Sequence, residues 1–290
     1  MREAGKIDPE DDGMKQRRKN IVVMVKPASG LCNMRCEYCF YRDEMEHREN
    51  GGNRIMSEET AAALIMRIGE EAENAMIAFQ GGEPSLAGLD FISSFLEKEK
   101  ELAPDTVFTH AFQTNGYIID EKWAAFFREN DFLVGVSFDG SRRIHDVLRH
   151  GENGSRTADR VMETIRLLEK ENVKFNVLIV VTKLVADNIE SVWKYLLDRR
   201  IYFQQYIPCM DPIEGSGKDY SISSDDYRMF LTKLFDLWFD AFTHGLYVSV
   251  RHFDNYVSML MGAEPEACDM AGHCSIQYVA ESNGDIYPCD

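Results

Sequence analysis

Basic residues are in short supply: 32 Lys and Arg stand against 49 Asp and Glu, a formal net charge of −17. Sequence-independent binding to nucleic acid or to an anionic membrane depends on a basic surface. Neither partner is therefore expected, although a local basic pocket is not excluded. The acidity itself reads as solvated helix faces. No apolar run is long enough to cross a bilayer. The N-terminus, Met-Arg-Glu-Ala-Gly-Lys, lacks a signal-peptide pattern, so the expected compartment is the cytoplasm. Cysteine occurs only seven times in 290 residues, an odd number. In a reducing compartment clustered cysteines bind metal or do chemistry more often than they form disulfides.

What is present suits a soluble globular protein: 44% hydrophobic and 11% aromatic residues, enough to bury a substantial core in one large or two smaller domains. Residues 1–20 are polar and charged and read as a flexible tail. Apolar runs then alternate with helical patterns. Strands are expected at 21–26, 76–80, 107–115, 132–138, 173–182 and 202–208. Helices are expected at 57–72 (Ser57 as N-cap, acids in the first turn), 89–102, 120–130, 157–172 and 186–200. Six strand–helix alternations predict an α/β fold with a parallel sheet and crossover helices, closed either as an open doubly wound sheet or as a full or partial barrel. In both, functional loops follow the carboxyl ends of the strands.

The unusual residues gather at those ends. A cysteine loop follows the first strand and Gln80-Gly81-Gly82-Glu83-Pro84 the second. Gln113-Thr114-Asn115-Gly116 ends the third and Ser137-Phe138-Asp139-Gly140 the fourth; Cys209-Met210-Asp211 ends the sixth. After Gly217 come a long amphipathic helix with a Phe, Leu and Trp stripe, most simply core packing, and a second helix at 252–262. In the last segment IQYVA and DIYP flank Asn283-Gly284, a β-hairpin signal. Cys268, Cys274 and Cys289 surround it, and the segment reads as the start of a small cysteine-rich second domain.

Cys32, Cys36 and Cys39 have the spacing C-x3-C-x2-C. A disulfide uses two thiols and most structural zinc sites use four ligands. Soft thiolates suit zinc, copper(I) or an iron–sulfur cluster. Three cysteines on a four-iron cluster leave one iron open to a small chelating ligand. Zinc stays open as an alternative, with His47 as a fourth ligand.

This loop, with Tyr38 before its last cysteine, resembles the radical S-adenosylmethionine (radical SAM) enzymes. Gly81-Gly82-Glu83-Pro84 resembles their GGEP motif: glycines admit a close backbone approach to the ligand's amino group, and the glutamate favours a cation. KPAS-x-x-CN-x-x-C-x-YCFY, FQGGEP-x-LAGL, QTNG, LVG-x-S-x-DG and VAESNGDIYPCD together resemble the anaerobic sulfatase-maturating enzymes of the SPASM group, from about Val22 to Asp290.

The resemblance implies a partial (β/α)6 barrel over 21–217, connecting helices over 218–262 and an auxiliary-cluster domain over 263–290. The family pattern continues with further cysteines, so that last domain is expected to be incomplete here. By the same resemblance, Cys32, Cys36 and Cys39 hold a radical-generating 4Fe-4S cluster. Tyr38 and Gly82 touch S-adenosylmethionine, Ser137 and Arg149 lie near its carboxylate, and Met210 lies by its adenine. Cys268, Cys274 and Cys289 hold part of an auxiliary 4Fe-4S cluster, and Asp290 is the general base. The implied reaction is oxidation of a Cys or Ser of a sulfatase to Cα-formylglycine without oxygen. The implied partners are a sulfatase polypeptide carrying C/S-x-P-x-R and a reduced flavodoxin or ferredoxin.

Simpler readings stand beside these. Tyr38 is then a packing aromatic, Ser137 a turn residue, Arg149 part of a solvated basic face and Met210 core filler. Cys209 reads as a buried thiol, and His145 and His252 as structural. At the level of function, the alternatives are another SPASM enzyme modifying a ribosomal peptide, or a zinc-stabilised binding protein.

Overall fold

The computed structural model describes residues 17–41, 54–211, 217–274 and 276–290. The tail up to residue 16, and His47, lie outside them.

Six parallel strands run in sequence order across the sheet: β1 (Arg18–Val25), β2 (Ala72–Phe79), β3 (Val107–Thr114), β4 (Leu133–Ser137), β5 (Lys174–Val181) and β6 (Phe203–Pro208). Each pairs with the next. A doubly wound sheet reverses its strand order at a switch point. Among these six strands the order never reverses, so they form the singly wound sheet of a partial barrel. β1 begins at Arg18, three residues before the apolar run, because pairing with β2 extends past it. Arg18 pairs with Ala72, and Asn74 Nδ2 donates to the Lys19 carbonyl at 2.8 Å.

Parallel neighbours require crossovers, and helices supply them. In α1 (Glu58–Glu71) the Ser57 hydroxyl accepts from Thr60 N at 3.1 Å, and Glu58 and Glu59 sit in the first turn. Its buried face is Ala61, Leu64, Ile65 and Ile68, the 3.6-residue spacing of one helical stripe. α2 (Leu89–Leu102), α3 (Glu121–Glu129), the short α4 (Arg142–Leu148) and α5 (Ala158–Lys170) follow. The helix expected over 186–200 is two, α6 (Lys183–Asp187) and α7 (Ile189–Leu197). Asn188 separates them, its side chain bonded back to the Leu184 carbonyl at 2.9 Å. An aromatic cluster fills the space between sheet and helices: Phe79 meets Phe95 edge-on at 5.2 Å, and Phe112 packs on Phe127 at 5.0 Å.

Beyond β6, α8 (Ser224–Thr243) starts at a capping box between Ser223 and Asp226. Its Trp238 is buried and donates to the Val248 carbonyl at 2.9 Å, and Phe230 and Leu234 are buried with it, whereas Phe235, Phe239 and Phe242 are exposed, so the core reading holds for one side of the stripe only. A two-residue strand, β7 (Ser249–Val250), extends the sheet past β6, and α9 (Arg251–Leu260) follows it. The hairpin signalled by Asn283-Gly284 forms as β8 (Tyr278–Ala280) and β9 (Ile286–Tyr287). It is not detached from the barrel: β8 pairs in parallel with β1, so the hairpin continues the same nine-stranded sheet. That pairing brings the last residues of the chain to the end of β1.

Candidate active site

The three-thiol loop is clamped from two sides. On one, Gly82 N donates to the Ser29 carbonyl at 2.8 Å and Glu83 N to Leu31 O at 2.7 Å. On the other, Arg35 N donates to His150 O at 2.7 Å and Glu37 N to Leu148 O at 2.9 Å. Gly82 has to be glycine here, since a Cβ would stand 2.3 Å from the Leu31 carbonyl oxygen. The loop is therefore held between the turn after β2 and the segment after α4.

Cys32, Cys36 and Cys39 are partly buried in it. Met34 N lies 3.4 Å and Asn115 Nδ2 3.6 Å from the Cys32 sulfur. Burial, then the Glu83 carboxylate, pushes the Cys32 thiol up to about 12, and the other two thiols add to the rise. Burial also raises Cys36, opposed by Arg149. Thiols in such surroundings ionise when a metal cation supplies the compensating charge. Among the described residues no group of three or more His, Cys, Asp or Glu stands close enough to hold a single metal ion. Three cysteine thiols on one loop are the donor set that suits an iron–sulfur cluster.

Beside the loop lies a buried polar ring. Tyr38 donates its hydroxyl hydrogen to Asp139 Oδ2 and accepts from Arg149 Nη1 at 2.8 Å. Arg149 is only 6% exposed, so the solvated-face reading fails for it. The nearby Arg142, exposed and paired with Asp159, does fit that reading. Burial raises the Asp139 carboxyl, and Arg149 opposes it. Burial disfavours the Arg149 cation, yet Tyr38, Cys36 and Asp139 carry its pKa well above the ordinary value. His145 is structural, as expected: Asp139 N donates to its Nδ1 at 3.2 Å, so the ring proton sits on Nε2, 3.1 Å from Thr157 Oγ1.

The third group sits at the carboxyl ends of β1 and β2. Asp290 accepts from the Tyr41 hydroxyl at 2.6 Å through Oδ2 and pairs with Lys26 through Oδ1. Lys26 Nζ also lies 3.0 Å from Glu281 Oε1, and Gln80 Nε2 donates to the Tyr41 hydroxyl at 2.8 Å.

A family model for the radical SAM superfamily matches residues 27–196. A cysteine-type anaerobic sulfatase-maturating enzyme of Clostridium novyi is 42% identical over 276 residues, covering 94% of this chain and 74% of the relative. A serine-type enzyme of Bacteroides thetaiotaomicron is 30% identical over 290 residues, covering 94% and 70%. The solved structure of native anSMEcpe with bound AdoMet and Cp18Cys peptide superposes with a TM-score of 0.88 at 39% identity, covering 93% of this chain and 74% of that one. The chain belongs to the radical SAM superfamily, among the anaerobic sulfatase-maturating enzymes. Streptococcus suis SuiB bound to its precursor peptide SuiA, with a TM-score of 0.63 at 17% identity, shares the fold alone.

A radical SAM enzyme works with a 4Fe-4S cluster and S-adenosylmethionine. The candidate positions fall unevenly against that need. Cys32, Cys36, Cys39, Tyr38, Gly82 and Arg149 converge on one loop and its clamp. Ser137 ends β4, half-buried, on the same rim, and Met210 follows β6 at 64% exposure, so it is not core filler. Cys209 is partly rather than fully buried, its thiol pushed up to about 12 by burial and by Asp139 and Asp211. Cys268, Cys274 and Cys289 are exposed. Glu83 departs from the expected cation-favouring role. Its carboxylate is fully buried and taken up by Ser85 Oγ at 2.6 Å, Thr114 Oγ1 at 2.8 Å and Asn115 N at 2.7 Å. It ties β2 to β3 beneath the loop.

Lys26, Tyr41, Gln80 and Asp139 are the site residues that sequence reasoning passed over. All four stood inside quoted motifs without a role; Lys26 and Tyr41 flank the cysteine loop, but nothing local links them to Asp290.

Proposed function

We propose that this chain oxidises a Cys or Ser residue of a sulfatase polypeptide to Cα-formylglycine without oxygen. The observation that carries the reading is the placement of Asp290 beside the three-thiol loop, gripped by Lys26 and Tyr41. Cys32, Cys36 and Cys39 would hold the 4Fe-4S cluster. Tyr38, Gly82, Ser137, Arg149 and Met210 would line the S-adenosylmethionine site. When bound, cluster and S-adenosylmethionine supply a 5′-deoxyadenosyl radical that removes a hydrogen atom from the target Cβ.

The chain's own part is positional and protonic. Lys26 Nζ and the Tyr41 hydroxyl hold the Asp290 side chain in place, where it would accept the thiol or hydroxyl proton of the target. The substrate would thus lose a hydrogen atom to the adenosyl radical, a proton to Asp290 and an electron for which an auxiliary 4Fe-4S cluster, when bound, would be the acceptor. Cys268, Cys274 and Cys289 would hold part of the auxiliary 4Fe-4S cluster, with Cys289 adjacent to the base. A thioaldehyde so formed hydrolyses to the aldehyde; a serine target gives the aldehyde directly. A reduced flavodoxin or ferredoxin suits the reductive side, and the cytoplasm suits both. The higher identity to cysteine-type relatives favours a Cys target. No helix among the described residues is long and apolar enough to cross a membrane.

The test is anaerobic reconstitution with iron and sulfide, then incubation with S-adenosylmethionine, a reductant and a peptide carrying C/S-x-P-x-R. Release of 5′-deoxyadenosine together with an aldehyde at the target residue supports the reading. Release of 5′-deoxyadenosine with a crosslinked peptide instead assigns the chain to another SPASM chemistry. A colourless protein with stoichiometric zinc and no iron overturns it.

A further inference from the structure

Asp139 has no part in the roles assigned above, yet it reaches Arg149 by two separate routes. Through its side chain, Oδ2 accepts the Tyr38 hydroxyl, and that oxygen accepts from Arg149 Nη1 at 2.8 Å. Through its backbone, Asp139 N donates to His145 Nδ1; Nε2 meets Thr157 Oγ1, which donates to the Arg149 carbonyl at 3.0 Å. The carboxylate is itself fixed, because Oδ1 accepts from Val180 N in β5 at 3.0 Å. The guanidinium it orients is buried, and Arg149 Nε has no hydrogen-bond partner among the described residues. An unsatisfied donor on a buried cation is costly, and a carboxylate is the acceptor that suits it best.

We infer that Asp139 is a positioning residue for the S-adenosylmethionine carboxylate, aligning Arg149 through the Tyr38 phenol so that Nε donates to the ligand. This rests on the S-adenosylmethionine reading of the site proposed above. The chemistry is a chain of charge-assisted hydrogen bonds, cation to phenol to carboxylate, whose direction is set by the acceptor at its end. An amide in place of Asp139 keeps the shape and removes the charged acceptor. The phenol hydrogen then loses its fixed direction, and the guanidinium its alignment.

The experiment uses the reconstituted, cluster-loaded full chain and measures equilibrium binding of two ligands, S-adenosylmethionine and its decarboxylated analogue. The variants are Asp139→Asn, Tyr38→Phe and the pair combined, with iron content checked in each. The expected result is an S-adenosylmethionine Kd raised about tenfold in each single variant. The combined variant is no weaker than the weaker single one, because both interrupt one chain. In Asp139→Asn the Kd of the decarboxylated analogue stays at the wild-type value. Equal losses for both ligands in Asp139→Asn mark a general structural defect and overturn the inference, as do additive S-adenosylmethionine losses in the combined variant. Wild-type protein that binds neither ligand sinks the underlying reading of the site. Wild-type binding with unaltered variants sinks only this one.

Discussion

Tyr41 donates its hydroxyl hydrogen to Asp290 Oδ2 across 2.6 Å, joining residues 249 positions apart. Burial, then the Asp290 charge, raises the Tyr41 phenol well above its ordinary value, so it stays a donor. Asp290→Asn keeps the size and loses the proton acceptor. Its expected outcome is a normal yield of 5′-deoxyadenosine with no formylglycine in the peptide, both read by chromatography and mass spectrometry. Formylglycine at the wild-type rate would remove Asp290 from the mechanism.

Lys26 is 2% exposed and lies between Asp290 and Glu281. Replacing it with Met leaves two adjacent carboxylates without their cation. Removing one partner of a buried pair costs ~3–5 kcal/mol, but the Asp290 side chain keeps 18% of its exposure, so roughly 2–3 kcal/mol is the better figure. Lys26→Met should lower the urea midpoint accordingly, and Lys26→Met with Glu281→Gln should recover part of the loss. An unchanged midpoint would mean that water solvates both acids in place of the ammonium.

Much of this arrangement was legible beforehand, and the reason is locality. Alternation of apolar runs with 3.6-residue patterns is written within each element, so all six barrel strands and the capped α1 could be placed from their own residues. The cysteine spacing and the Gly-Gly-Glu-Pro turn are equally local. Strand order is not: only register contacts such as Val23 with Tyr278 show that the hairpin joins β1. The same non-locality hid Lys26 and Tyr41 as partners of Asp290. Glu83 misled because a glutamate in a glycine turn looks available. Its burial against Thr114 and Asn115 follows from the β2–β3 pairing, which its neighbours in sequence do not reveal.

Gly82 offers a sharper test of the clamp on the loop. An added Cβ would meet backbone of Leu31 and Gly30 at 2.3 and 2.6 Å, which no side-chain rotation relieves. Gly82→Ala should displace the segment carrying Cys32 and reduce iron bound per chain after reconstitution, while far-UV circular dichroism stays that of the wild type. Full iron content in the variant would show that the loop relaxes without disturbing its thiols.

His145 sets an expected pH dependence of stability. Burial, then Arg149 and His150, hold its imidazole well below the ordinary 6.5. Its Nδ1 is already an acceptor for Asp139 N, so the folded chain keeps it neutral. The sign follows from proton counting. Well above pH 6.5 neither state protonates this ring, and its contribution does not change. As pH falls below that value the unfolded chain binds a proton that the folded chain refuses, and stability drops by up to about 1.4 kcal/mol per pH unit. Carboxylates add their own slope, so the informative quantity is the difference between wild type and His145→Asn, whose side chain can still accept from Asp139 N. Between about pH 6.5 and about pH 5.5 the wild type should lose roughly 1 kcal/mol more than the variant in urea titrations. Parallel slopes for the two proteins would show that the buried imidazole takes up its proton without unfolding.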